Sequence, residues 1–255
     1  MEWLLAVLGV VLAFVLGFAV RPVLMPYSRR LERLGRRVED PVDVHVEDDQ
    51  AVIWAGFPPW MSFSYFIPGE LPSDVPPEDG RAWRRWAESH GGFDLWMTMV
   101  EVTIVAKTDT TVVIETPMVT QETSAVPRGV GVLKPAAGGA DITPRRYDID
   151  LASGTPPWIL FMEGGEAAAG NPRPAPSFSL KAGEVEQLHI WARAEDDKLH
   201  AWSMEIPLLI DGRRVTIPVD HHGGPFKTVG REQRHKTKAM PGDRWESFSW
   251  SKGFE

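Results

Sequence analysis

The chain has 255 residues, 43% hydrophobic and 24% charged, with a formal net charge of −8. This is ample for a well-buried core and excludes wholesale disorder. Cysteine is absent, which excludes disulfides, thiolate catalysis and cysteine-based zinc sites. An acidic body argues against nucleic acid as a partner.

The first element is WLLAVLGVVLAFVLGFAV, residues 3–20, without a charge. At about 1.5 Å per residue it reaches about 27 Å, enough for a bilayer core. A buried helix of a soluble domain is rarely apolar on every side. A cleaved signal peptide needs a basic n-region and small residues at its cleavage site. Met1-Glu2 and Ala19-Val20-Arg21-Pro22 supply neither. Residues 1–22 therefore read as a single-pass transmembrane anchor. Arg21, Arg29, Arg30, Arg33, Arg36 and Arg37 follow it against four acids in residues 1–40, leaving −10 on the remainder. Arginines after a span hold that flank inside, so the domain is expected on the cytoplasmic face of the membrane. Within residues 23–40, Tyr27, Leu31, Leu34 and Val38 share one face of a short amphipathic helix. It would lie on anionic lipid headgroups, form a short dimer seam, or serve as a solvated spacer.

From residue 41 strand patterns dominate. VDVHV (42–46) and AVIWA (51–55) flank the polar turn Glu47-Asp48-Asp49-Gln50, which predicts a hairpin. WMSFSYFI (60–67) alternates, and the Pro-rich stretch 68–80 is a loop. Arg81 to Ser89 is the one predicted helix of the domain, with Ala82, Trp83, Trp86 and Ala87 on its apolar face and Gly91-Gly92 ending it. Strands are predicted over 93–107, 110–119, 129–133, 145–151, 157–162, 177–180, 184–194, 199–210 and 213–219. Asp211-Gly212 is a type I′ turn dipeptide, which sets Ile210 against Arg213, Leu208 against Val215, Ile206 against Ile217 and Met204 against Val219. Pro207 and Pro218 cannot donate to a ladder and are expected at an edge or pointing outward. After Gly230 the chain turns polar and lacks a sustained period, so 231–255 reads as a loose tail. Its Trp245, Phe248, Trp250 and Phe254 either dock on the domain or form a short motif for a partner.

No motif supplies a catalytic engine. Asp220-His221-His222 is the most metal-like cluster. Neighbouring strand residues point to opposite faces, so vicinal histidines chelate one ion only where a turn reorients them. Gly223-Gly224-Pro225 makes a turn there, but no spacing links His189 or His200 to it, and no metal or other cofactor is assigned. The acids of 47–49 and 195–197 fall at expected turns, where they are solvated. Neither a nucleophile elbow, a Walker loop nor a dinucleotide fingerprint is present, and His90-Gly91-Gly92 lacks the nucleophile an oxyanion loop would serve. Trp54, Trp96, Trp158, Trp191 and Trp202 sit among apolar strand residues, as core does. Trp60, Trp83 and Trp86, with Arg84 and Arg85, and Trp245 and Trp250 of the tail, are the candidate partner surface, since tryptophan and arginine dominate interface hot spots.

VVIETPMV (112–119), PRGVGV (127–132), RRYDIDL (145–151), FSLKAGEVEQLHIWA (178–192), the 202–219 hairpin and HHGGPFKTVG (221–230) together resemble a group of uncharacterised, membrane-associated β-domain proteins of actinobacteria. The resemblance covers under half of the chain. It implies a β-sandwich and carries no activity or catalytic residue.

The expectation is a mainly β chain: an antiparallel β-sandwich over 41–230, Ig-like or related, with one short helix and an N-terminal transmembrane helix. Its expected function is a non-enzymatic interaction or scaffold module that binds a protein partner at the membrane. The alternatives are an extracytoplasmic carbohydrate- or cell-wall-binding domain, and a hydrolase or metalloenzyme with an unrecognised site.

Overall fold

A computed structural model describes residues 41–53, 63–77, 80–107, 111–134, 145–162, 177–231, 236–240, 245–249 and 253–254. The 3–20 stretch, the 27–38 helix, the six N-terminal arginines, Trp54, Trp60 and Trp250 lie outside these residues. Among the described residues no helix is long and apolar enough to cross a membrane.

Strands dominate. In chain order they begin with β1 (Val42–Glu47), β2 (Phe63–Pro68), β3 (Phe93–Leu95), β4 (Met97–Ala106), β5 (Val112–Ile114) and β6 (Met118–Ala125). There follow β7 (Gly129–Lys134), β8 (Arg146–Asp150), β9 (Trp158–Met162), β10 (Phe178–Leu180), β11 (Val185–Arg193) and β12 (Lys198–Ile210). The last are β13 (Arg213–Val219), β14 (Phe226–Val229), β15 (Lys236–Ala239), β16 (Glu246–Ser249) and β17 (Gly253–Phe254). Among the described residues two short α-helices, α1 (Gln50–Ile53) and α2 (Gly80–Ser89), and a 3-10 turn at Leu151–Ser153 interrupt them.

The strands form two sheets. The smaller runs β1-β4-β11-β8-β9, and the larger β10-β5-β12-β14-β3-β2-β7-β15-β16-β17, with β6 and β13 also paired to β12. Alternation decides what lies between them. Val100, Val102 and Ile104 of β4 and Leu188 and Ile190 of β11 meet Trp202, Met204, Ile206 and Leu208 of β12 in one core, each at most 1% exposed. At roughly 1.5–3 kcal/mol per buried large apolar side chain, this shared face is the main stabilising term of the fold.

The β12–β13 hairpin has the register that its turn dictates: Ile210↔Arg213, Leu208↔Val215, Ile206↔Ile217 and Met204↔Val219. Asp211 and Gly212 hold the paired positive φ of a type I′ turn, 49° and 76°. Pro218 stands in a non-hydrogen-bonded pair, so its nitrogen faces the open edge of β13. Pro207 differs from expectation, because β12 is flanked on both sides. It stands at the end of the β5 ladder, where its carbonyl accepts from the Glu115 amide (2.9 Å) and the proline nitrogen returns no bond.

Several expectations are corrected. Three pairings, β8–β11, β3–β14 and β7–β15, are parallel, so the sheets are mixed rather than wholly antiparallel. The predicted 42–55 hairpin does not form. β1 pairs with β4, and the Asp49 carboxylate accepts from the Ala51 amide (2.9 Å), capping α1 instead of shaping a turn. The predicted strand over 93–107 is two strands: Trp96, at φ 74°, turns the chain from the larger sheet into the smaller. The 231–255 segment is not a loose tail throughout, because β15 pairs with β7 and β16 with β15.

Helix α2 forms where expected. Gly91, at φ 68°, ends it in a Schellman motif: the Gly92 amide donates to Ala87 O (2.8 Å) and the Gly91 amide to Glu88 O (2.9 Å). Its apolar face, Trp83, Trp86 and Ala87, packs on Tyr65, Ile67 and Val132 in a second core at the end of the larger sheet. This places α2 against β2 and β3, where the cleft described next opens.

A polar cleft as the candidate functional site

Three stretches remote in sequence enclose a cleft of about 460 Å³ at the edge of the second core: strands β2–β3, helix α2, and the segment between β13 and β14 running into β14, with Tyr65, Arg84, Glu88, Asp94, His221 and Phe226 among the lining residues. Asp48, just past β1, stands beside them against Arg84 and His221. That volume lies within the usual range for small-molecule sites.

Arg84 organises the charges. It is 8% exposed and donates to Glu88 Oε1 through Nε (2.8 Å), to Asp48 Oδ2 through Nη2 (3.0 Å), and to the Asp48 carbonyl through Nη1. Burial opposes its charge, but the nearby Asp94 and Asp48 carboxylates outweigh that and hold the guanidinium firmly protonated. Asp48 Oδ2 also lies 2.6 Å from His221 Nδ1. Asp48 and His221 are 173 residues apart in the chain and share one hydrogen bond.

Asp94 is buried at the inner end. Burial, opposed by the Arg84 charge and the Thr98 hydrogen bond, raises its carboxyl to about 6. A hydrogen-bond chain lies behind it. Trp202 Nε1 donates to Thr228 Oγ1 (3.0 Å). The Thr228 and Thr98 hydroxyls share a hydrogen bond (2.7 Å), and Thr98 donates to Asp94 Oδ2 (2.7 Å). Tyr65 stands opposite Asp94 in the β2–β3 register, and its hydroxyl is buried with no hydrogen-bond partner among the described residues. Burial pushes that phenol well above its ordinary range, so it is a neutral donor and acceptor.

The third wall is a tight turn. His221 O accepts from Gly224 N (3.0 Å), with His222 and Gly223 at φ 52° and 86°. This is a type I′ geometry, with the Asp220 carboxylate taking the Gly223 amide (2.8 Å). The turn brings the two imidazoles to the same side, ring centroids 4.7 Å apart. One ligand atom each from Asp48, His221 and His222 then lie within 4.8 Å of one another.

The residues singled out from sequence are placed differently. Trp83 (1% exposed), Trp86 (7%) and Arg84 are buried and present no open surface. Trp245 stacks on both tryptophans, with centroids 5.9 and 6.1 Å away, so it docks on the domain itself. This correction follows from α2 lying flat on the larger sheet, which turns its tryptophan face inward. Arg85 remains exposed. Trp60, Trp250 and the arginines at 21, 29, 30, 33, 36 and 37 lie outside the described residues.

His189 and His200 do not join the histidine turn; they pair with Glu101 (3.3 Å) and Asp196 (2.8 Å). His90 pairs with Asp74 (3.2 Å). Asp48, Tyr65, Glu88 and Asp94 were not singled out by sequence. Only the Arg84-x-x-x-Glu88 spacing on a helix signals one of these contacts. No family model matches the chain, and no curated protein is similar to it.

Proposed function

We propose that this chain is a membrane-tethered β-domain whose recognition site is the cleft between α2, β2–β3 and the His221 turn. Its ligand is a small, hydrogen-bonding molecule, uncharged or cationic. The observation carrying this reading is the convergence of Tyr65, Arg84, Asp94 and His221 on one cavity. Convergent polar groups, an unsatisfied buried hydroxyl and a carboxyl with a shifted pKa are the ordinary marks of a binding or active site. In the lining Glu88 and Asp94 stand against Arg84 and Lys227, whose ammonium lies over the Phe93 ring (5.0 Å), and Asp48 beside Arg84 adds one further carboxylate. That near balance suits an uncharged or cationic ligand better than an anion. Phe93 and Phe226 beside hydrogen-bonding groups also suit a sugar, which keeps the carbohydrate reading within this class. A protein partner loses part of its support, because Trp83 and Trp86, two of the tryptophans that suggested it, are buried.

Ligand-observed NMR on the full chain in detergent tests this reading. The probes are N-acetylglucosamine with other neutral sugars, spermidine, and inorganic phosphate. Gly224 lines the cleft and has room for a Cβ, with His221 O the nearest atom at 3.7 Å, so Gly224→Trp is the blocking variant, its retained folding checked by circular dichroism. Binding of a neutral or cationic probe that Gly224→Trp abolishes is the expected result. Binding indifferent to Gly224→Trp, or confined to phosphate, overturns the proposal.

The tether rests on the uncharged 3–20 stretch and its arginine flank. Because the chain has no cysteine, Ala152→Cys, in an exposed position, can be challenged in intact cells with an impermeant maleimide. Protection until lysis is expected for a cytoplasmic domain. Labelling of intact cells reverses the orientation, and recovery of the chain in the soluble fraction removes the tether.

One observation favours a catalytic reading. A carboxyl at about 6 is poised for general acid–base work near neutral pH. Ester or glycoside hydrolysis by the wild type that is lost in Asp94→Asn would replace binding alone.

A further inference from the structure

We infer that a divalent transition-metal site adjoins the cleft at His221, with Asp48, His221 and His222 as ligands and zinc the ion that fits them best. The inference rests on the cleft being a binding site and names the group that completes it. Two imidazoles and a carboxylate are a borderline-soft nitrogen and oxygen set suited to zinc, and three protein ligands leave a position open for ligand or water.

Four features point the same way. One ligand atom from each residue lies within 4.8 Å of the others, across 175 residues of chain. His222 holds φ 52° at a turn position usually taken by asparagine, aspartate or glycine. An imidazole there is explained by what the ring does, since the turn itself does not need it. Asp48 is held as an oriented ligand: Oδ2 takes Arg84 and His221, while Oδ1 receives no hydrogen bond from any described residue. Ligating carboxylates are commonly fixed in this way by a second hydrogen-bonding layer. Finally, Asp48, Glu88 and Asp94 against Arg84 and Lys227 leave one carboxylate in excess for a cation to neutralise.

Arg84 Nη2 lies 3.0 Å from Asp48 Oδ2 and 3.4 Å from His221 Nδ1, so a metal would be held through Asp48 Oδ1 and the imidazole nitrogens turned away from the guanidinium.

The test uses the full chain in detergent, stripped with a chelator and titrated with Zn²⁺ against a competing fluorescent chelator. The wild type is expected to take one ion per chain. His222→Asn keeps a residue that accepts positive φ while removing an imidazole, so the fold is retained. Its affinity should fall at least about 10-fold, as the loss of even an outer-shell partner does. His45→Ala, exposed on β1, is the control and should bind as the wild type does. No stoichiometric uptake, or a His222→Asn variant as tight as wild type, overturns the site. Either result leaves cleft binding of the organic probes, and its loss in Gly224→Trp, to be judged separately.

Discussion

Asp94 is the residue whose behaviour says most about its surroundings. Its folded pKa, about 6, stands above the ordinary value of 3.8 because burial disfavours the carboxylate. The folded state therefore holds its proton more tightly than the unfolded chain. Its contribution to stability is full below about pH 4 and is lost as pH rises through about 6. Asp94→Asn keeps an acceptor for Thr98 and never ionises. Urea unfolding at pH 4, 5, 6 and 7 should show the variant gaining on wild type across that window, by at most about 3 kcal/mol. A difference that is flat with pH would mean that Asp94 titrates normally and is not enclosed.

At the scale of elements, local chemistry made some of the fold legible. Asp211-Gly212 encodes a turn, and a turn with two-residue alternation fixes register, so each predicted pair of the β12–β13 hairpin is present. Helix α2 was legible for the same reason, from its glycine stop and apolar spacing. Where competing local signals exist, pattern alone misleads. The acids at 47–49 suit a turn equally well as a helix cap, and the Asp49 side chain settles it by accepting the Ala51 amide. Trp96 gives no sequence sign of a corner, since tryptophan is an ordinary strand residue and its positive φ is imposed by the crossing between sheets. β15 was hidden because four residues are too few to show a period. Its partner β7 lies about a hundred residues earlier in the chain. Amphipathic spacing showed that Trp83 and Trp86 share a helical face, yet not whether that face looks inward.

For the whole molecule, the site was almost illegible, for a physical reason. Its parts come from residues 48, 65, 84, 94 and 221–222, and only the two-sheet topology brings them together. The notion that a turn could reorient His221 and His222 was available from Gly223-Gly224. Its third member, Asp48, was hidden in a run of acids that looked solvated. Composition spoke to the large scale instead: an uncharged stretch, an arginine flank and an acidic β-rich body.

The central claim is that these distant stretches converge on one site, and a double-mutant cycle between Asp48→Asn and His221→Gln tests it most directly. The two side chains share a 2.6 Å hydrogen bond and no covalent proximity. Unfolding free energies at pH 7 should show a coupling of about 0.5–3 kcal/mol, the range for residues in direct contact. Strictly additive effects would mean that Asp48 and His221 do not meet, and with them the cleft and its metal site would fall.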